Sequence, residues 1–417
     1  MDAAITFREA IGPIIFSAFQ FVLLFIVLLF PYLLLRSFWK NWVAFVRATF
    51  FAAQKYKVLE LKIPRGITKS PLAMELFMTS LYQTGGEGNW FDKYWNGSTR
   101  PWFSLEVTSI DGVVRFFIWT RDKFKDMIET QLYGQFPDIE ITEVADYTNA
   151  IEFNAEKYDF WGCEFIKTGP SHLPIKTYVD YGLDKDPKEE VKIDPITTLI
   201  EFLGSLKPGE QAWIQICVRA HVKHKQKPGG KWGELVDWKH DAAEDLKKRM
   251  KRDVEVKADK PVNPNTMQLS KGEKDAVDAI EKSLAKTPFD CGIRSIYAAR
   301  KDAYRSSMIS GLTGAFRQYN SSNLNGFKPD KAPGVKYPWQ DRSGKKVQKM
   351  KKELFDKYKA RAFFVAEYIP VGYKSDPFVM NIEELATIYH FPGDVSRTPT
   401  LSRVQAKKSE PPANLPI

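Results

Sequence analysis

The stretch Phe103-Ser104-Leu105-Glu106-Val107-Thr108-Ser109-Ile110-Asp111-Gly112-Val113-Val114-Arg115-Phe116-Phe117-Ile118-Trp119 decides how the body of this chain folds. Phe103, Leu105 and Val107 alternate with Ser104, Glu106 and Thr108. That is the period-two pattern of a strand with one apolar and one polar face. Asp111-Gly112 offers two positions that accept φ > 0, which a two-residue hairpin turn requires. Val113 to Trp119 then returns as the partner strand.

Working outward, Val58 to Ile63 alternates as a strand and stops at Pro64. Ser70-Pro71 opens a helix, a capping side chain followed by proline at the first helical position. Ala73, Leu76, Phe77 and Leu81 share one face of it, and Gly85-Gly86 ends it. After the hairpin, Phe124, Ile128 and Leu132 mark a second helix and Ile139 to Val144 a last strand. The order β-α-β-β-α-β over residues 57–150 is that of a ferredoxin-like module, two helices on one face of an antiparallel sheet.

A looser version is expected over 151–336. Ile175 to Val179 is a candidate strand, and Asp194-Pro195 starts a helix through Ile196, Leu199 and Leu203. Ala212 to Val222 and Cys291 to Ala299 read as strands. A charged insertion, 223–268, separates them. Ser270 and Glu273 form a capping box for the next helix, Ala303 to Phe316 supplies another, and Ala362 to Ala366 is the expected fourth strand. From 337 to 395 come a basic helix and a short helix capped by Asn381. The tail, 396–417, carries Pro399, Pro411, Pro412 and Pro416 and reads as an extended arm.

The N-terminus is different. Ile14 to Leu35 holds no charge. As a helix it reaches about 33 Å, enough to cross a hydrocarbon core of ~30 Å. Only one basic residue, Arg8, precedes it, whereas Arg36, Lys40, Arg47, Lys55 and Lys57 follow. The positive-inside rule puts residues 1–13 outside and the body in the cytoplasm, at the inner membrane of the cell. A cleaved signal peptide would need an apolar core of only ~7–15 residues and a small-residue cleavage site. The segment 36–56 interleaves Phe38, Trp39, Trp42 and Phe45 with cations, which suits a membrane–water interface; Arg36, Trp39, Lys40, Trp42 and Arg47 are its expected contacts. The fold class is therefore α+β: one transmembrane helix, tandem ferredoxin-like modules with a helical insertion, and an extended C-terminal arm.

A formal charge of +10 on 417 residues calls for an anionic neighbour: a lipid leaflet, a nucleic acid or an acidic protein. Cys163, Cys217 and Cys291 are odd in number and far apart, which suits core thiols in a reducing compartment. Catalytic motifs are missing. Gly230-Lys231 and Gly344-Lys345 lack the hydroxyl residue of a phosphate loop, and neither GxSxG nor HExxH occurs. Asp184-Lys185-Asp186 begins like a calcium loop but continues with Lys188 and Glu189 in place of ligand and glycine. His221 and His224 point to opposite faces of a strand end and, with His240, read as a solvated basic edge rather than a metal site. No catalytic residue, cofactor or metal is expected.

Two binding surfaces remain. Asn89 to Trp95 is an aromatic loop, and Trp90, Trp95, Arg100 and Trp102 would stack bases or anchor a partner, unless the loop is a lid on the sheet. Lys345, Lys346, Lys349 and Lys352 of the basic helix would meet phosphates, anionic lipid or an acidic partner.

The segment Asn381-Ile382-Glu383-Glu384-Leu385-Ala386-Thr387-Ile388-Tyr389-His390-Phe391-Pro392, with Pro411 to Pro416, resembles the stretch just ahead of the motor domain in FtsK/HerA-type ATPases of conjugative type IV secretion systems. Gly209 to Gln215 resembles that region too. Over nearly its whole length, including Lys69 to Glu75 and Tyr178 to Asp184, the chain resembles an uncharacterised family of single-span membrane proteins from candidate-phylum bacteria. The 417 residues end where the ATPase domain would begin, so no catalytic residue carries over. The resemblance implies a membrane-anchored scaffold or docking subunit of a secretion, conjugation or DNA-translocation apparatus, non-catalytic, with Glu383, Glu384, Tyr389 and His390 facing a separately encoded motor. The rival readings are a nucleic-acid-binding membrane protein and a pilus-assembly platform protein, which keeps such domains outside the cytoplasm.

Overall fold

A computed structural model describes residues 2–64, 69–185, 194–222, 225–226, 235–250, 270–365, 375–393 and 403–404. It divides into two compact units, one of 1–53, 86–99 and 367–371, the other of 54–85, 100–366 and 372–417.

In the first unit, α1 (Asp2–Ala53) is a single helix of 52 residues, about 78 Å long. The expected boundary at residue 36 is absent. The helix runs past Pro31 and through the segment read as a separate juxtamembrane stretch. The short α3 (Trp90–Tyr94) is capped by Asn89, whose side chain accepts from the Asp92 amide at 2.8 Å. Gly97 has φ +65°, and a Cβ there would overlap the Val46 carbonyl of α1. Glycine is required by both conformation and space.

The second unit is built on a ten-stranded sheet. Its elements in chain order are β1 (Tyr56–Pro64), α2 (Leu72–Ser80), β2 (Trp102–Ile110), β3 (Val113–Arg121), α4 (Lys125–Gln135) and β4 (Glu140–Val144). There follow β5 (Tyr158–Lys167), α5 (Pro195–Gly204), β6 (Glu210–Ala220), β7 (Lys225–Gln226), β8 (Leu235–Val236), α6 (Trp238–Arg249), α7 (Lys271–Ala285) and β9 (Pro288–Arg300). Last come α8 (Ser307–Gly314), β10 (Phe327–Asp330), α9 (Lys345–Lys359), β11 (Phe378–Asn381), α10 (Ile382–Ile388) and β12 (Arg403–Val404).

The first half of the sheet runs β4-β1-β3-β2 and the second β10-β5-β9-β6, all pairs antiparallel. The halves join where β2 pairs with β6, antiparallel from Trp102↔Arg219 to Ile110↔Gln211. Nine ladder positions make them one sheet. β11 extends it beside β9, and β12 lies parallel to the end of β1.

Several expected elements differ. The first strand of the second half is Tyr158–Lys167, not Ile175–Val179, and its fourth is Phe327–Asp330, not Ala362–Ala366. Both misplaced segments are apolar because they are buried, not because they are strands: Ile175, Phe363 and Phe364 are sealed in coil. β11 and α10, from the stretch 337–395 read as a separate segment, belong to the sheet and its core. The insertion contains α6, which with α7 forms a small satellite core of Ala242, Leu246, Val277 and Ile280. Residues 251–269, and all of the proline tail except β12, lie outside the described residues.

One face of the sheet buries Leu59, Phe103, Leu105, Phe116, Ile118, Ile214 and Ile293 against α2, α4, α5, α8 and α10. The other face meets water toward the β1–β4 edge, where the side chains of Arg115 and Glu140 stay partly exposed, but it is covered at its centre. Ser104, Glu106 and Thr108 of β2 are fully buried, and α9 with residues 361–364 covers that side, Leu354, Phe355 and Tyr358 packing inward.

Candidate interaction surfaces

The covered face carries a polar network. Arg361 donates from Nε to Glu106 Oε1 at 3.0 Å and from Nη2 to Oε2 at 3.1 Å, and it also pairs with Asp146. Tyr147 donates to Glu106 at 2.7 Å and Gln215 Nε2 to Glu106 at 3.2 Å. Beside it, Arg294 donates to Glu164 at 2.8 Å, and Ser375 hydrogen-bonds the same carboxylate at 2.6 Å. Burial alone would raise the Glu164 carboxyl, but Arg294 and Ser375 outweigh it and hold it below the ordinary value. Charges sealed and paired in this way position the C-terminal segment.

Arg100 and Trp102 belong to this buried interior, which corrects their reading as ligand contacts. Arg100 donates to the Ala220 carbonyl at 2.7 Å and lies 3.6 Å from Asp290. Trp102 is 3% exposed and packs on Trp119 and Phe364.

Trp90 and Trp95 both pack on α1 within the first unit. Trp90 stacks on Trp39 with centroids 6.1 Å apart, and Trp95 lies 5.2 Å from Trp42. The Trp42 indole donates to the Tyr94 carbonyl at 3.2 Å. Two stretches separate in sequence thus form one aromatic collar, with Arg36, Lys40 and Phe45 exposed around it. Arg47 is buried instead, so it is no lipid-facing contact. Above the collar the described large apolar side chains from Phe16 to Phe38 are exposed. Among the described residues this is the one helix long and apolar enough to cross a membrane.

The segment expected to face a motor is buried. Glu383, Glu384, Tyr389 and His390 are each less than 5% exposed. Glu384 closes a capping box with Asn381 and accepts from Lys167 at 2.8 Å. Glu383 pairs with Lys286 at 2.8 Å and Lys282 at 3.2 Å. Tyr389 donates to the Phe117 carbonyl, and His390 Nε2 meets Asp194 at 2.9 Å. The periodicity of this segment is a core signal. α10 packs on α2 and α5, while its carboxylates are paired with Lys167, Lys282 and Lys286. They are not a docking face.

His221 is likewise no solvated edge. Its Nδ1 meets Asp290 at 2.6 Å and its Nε2 meets Asp237 at 2.8 Å, at the wall of a cavity of about 450 Å³. His240 is half-buried and lies 3.9 Å from Glu244, while His224 and Asp186 fall outside the described residues. Among the described residues no group of three or more His, Cys, Asp or Glu is placed to hold a metal ion. The three cysteines are buried and free. By contrast Lys345, Lys346, Lys349 and Lys352 stand exposed on α9.

Residues 53–404 match a family described as a domain of unknown function, DUF8128. The chain belongs to the DUF8128 family. The matched region takes in both halves of the sheet, α9 and α10, and begins at the last residue of α1. No curated protein matches the chain in sequence.

Proposed function

We propose that this DUF8128 chain is a single-span membrane protein with a cytoplasmic body, serving as a non-catalytic scaffold subunit of a type IV secretion, conjugation or DNA-translocation apparatus. The observation that carries the anchor is the exposed apolar surface of α1 running into the aromatic collar. Each such side chain gains ~1.5–3 kcal/mol on leaving water, so a row of them does not remain solvated. Tryptophans with flanking cations are the usual boundary of a hydrocarbon core. The charge asymmetry about Ile14 to Leu35 supports a cytoplasmic body.

We read each half of the sheet as a ferredoxin-like module. The strand orders β4-β1-β3-β2 and β10-β5-β9-β6 support this, with α2 and α4, then α5 and α8, in the crossover positions. Pairing of the modules through β2 and β6 makes a rigid, doubly covered platform, a form suited to holding partners. The link to a translocation apparatus rests on the resemblance at Asn381 to Pro392. Its buried side chains leave any motor to be met elsewhere on the body.

The test is topology. Ser343 is exposed, so a Ser343→Cys chain should resist alkaline extraction from membranes and react with an impermeant maleimide only after permeabilisation. Labelling of intact cells would favour an outward-facing pilus-assembly platform. Release into the alkaline supernatant would remove the anchor altogether.

A further inference from the structure

The aromatic and basic groups expected to meet a nucleic acid are divided differently by the structure, and a pair that sequence reading passed over takes the vacant role. Tyr337 and Trp339 stack face to face, with centroids 4.6 Å apart and planes at 6°. Trp339 is 65% exposed and Tyr337 41%. With one side of its indole on Tyr337, the rest of the Trp339 ring is left to solvent.

The pair is held in place. Gln340 Oε1 accepts the backbone amides of Lys336 and Tyr337 at 3.1 and 3.3 Å. Asp341 accepts from the Val347 amide at 2.7 Å, which docks the turn onto the first residues of α9. Gly344, at φ +69°, makes the bend.

From that bend Lys345, Lys349 and Lys352 climb one face of α9 over ~10 Å, with Lys346 beside them. Lys349 reaches only a distant partner, Glu353 at 4.0 Å, and is 79% exposed. Lys345, Lys346 and Lys352 make no ion pair among the described residues. The opposite side of the helix, through Leu354, Phe355 and Tyr358, is buried, so the lysine face is fixed toward solvent.

We infer that the Tyr337–Trp339 stack and the lysine face of α9 form one binding surface for single-stranded nucleic acid, an unpaired base stacking on Trp339 while the following phosphates track along the helix. Trp339 lies six residues ahead of Lys345, and an open ring followed by a row of cations is the arrangement that such strands use. An anionic leaflet would satisfy the lysines and seats interfacial aromatics as well, so dependence on single strand rather than on anionic lipid decides between the two. The surface is independent of the anchor and would be there whichever side the body occupies.

The test is fluorescence anisotropy of a labelled oligothymidylate with the full chain in nanodiscs of zwitterionic lipid. Single strand should bind in preference to duplex, with affinity falling as salt rises. Reversing the four lysines (K345E/K346E/K349E/K352E) should lower the log–log salt slope by ~3, since each neutralised phosphate of a single strand contributes ~0.7. Trp339→Ala should weaken binding ~5- to 100-fold while leaving the slope unchanged. Should a variant melt early, cross-linking of bromouracil-substituted oligonucleotide to the unaltered chain should map to Trp339. Duplex preferred over single strand, a Trp339→Ala chain that binds as the parent does, or cross-links confined to other segments would each overturn the assignment. So would lysines that matter only for binding anionic vesicles.

Discussion

The guanidinium of Arg361 lies side by side with the carboxylate of Glu106, 255 positions earlier, Nε to Oε1 at 3.0 Å and Nη2 to Oε2 at 3.1 Å. Both side chains are sealed from water. Arg361→Ala would leave Glu106 charged, buried and without its main partner, a change that costs ~3–5 kcal/mol. Arg361→Lys should recover only part of that, because an ammonium cannot make the two parallel bonds. Urea unfolding measures both. A loss below ~1 kcal/mol for the alanine variant, the scale of an exposed pair, would mean that the face is hydrated after all.

Glu384 separates a structural from a docking role for α10. Replacing it with alanine removes the buried pair with Lys167 and the cap on the Asn381 amide. The melting temperature of the purified chain should fall by several degrees, since ~1 kcal/mol already moves it by a few. An unchanged melting temperature would return the residue to the surface role that its sequence context suggested.

Gly97→Ala is expected to loosen the collar. The new Cβ meets the Val46 carbonyl, and φ +65° is strained for alanine, together of order 1–3 kcal/mol. Intrinsic tryptophan emission in nanodiscs should shift as Trp42 and Trp95 separate. A spectrum identical to the parent's would show that loop and helix are not held together.

Acid should destabilise the body. Burial alone would raise the carboxyls of Asp194, Asp290 and Glu164. It is outweighed at Asp194 by His390, at Asp290 by His221 and Arg219, and at Glu164 by Arg294, so each ends below its ordinary value. A carboxyl depressed in the folded state contributes stability that is present above its unfolded value, near ~4, and lost as pH falls through the lower folded one. Melting temperature should hold from neutrality to about pH 5 and drop steeply below pH 4. A flat or rising profile on acidification would contradict the pairing.

The thiols should be inert. Burial pushes Cys163 and Cys217 up to about 12 and Cys291 well above its usual value, so the thiolate is scarce at neutral pH. Ellman's reagent should find none in the folded chain and three after denaturation. Prompt native reaction would disprove the burial, and it would also spoil single-cysteine labelling at Ser343.

What the sequence determined by itself are the features set by close neighbours, turns and caps above all. The hairpin at Asp111-Gly112, the Asp194-Pro195 helix start, the Ser270–Glu273 and Asn381–Glu384 capping boxes and the apolar run of α1 all depend on neighbours within a few residues. What only the tertiary structure decided depends on partners hundreds of positions away. Glu106 reads as a solvent-facing strand residue until Arg361 covers it. Glu383 and Glu384 read as a charged surface until Lys286 and Lys167 bury them. Trp90 and Trp102 look equivalent in sequence, yet one joins the collar on α1 and the other enters the core. Composition does not reveal which of several polar or aromatic residues will find a partner, because burying one is favourable only when the chain delivers its complement to the same place.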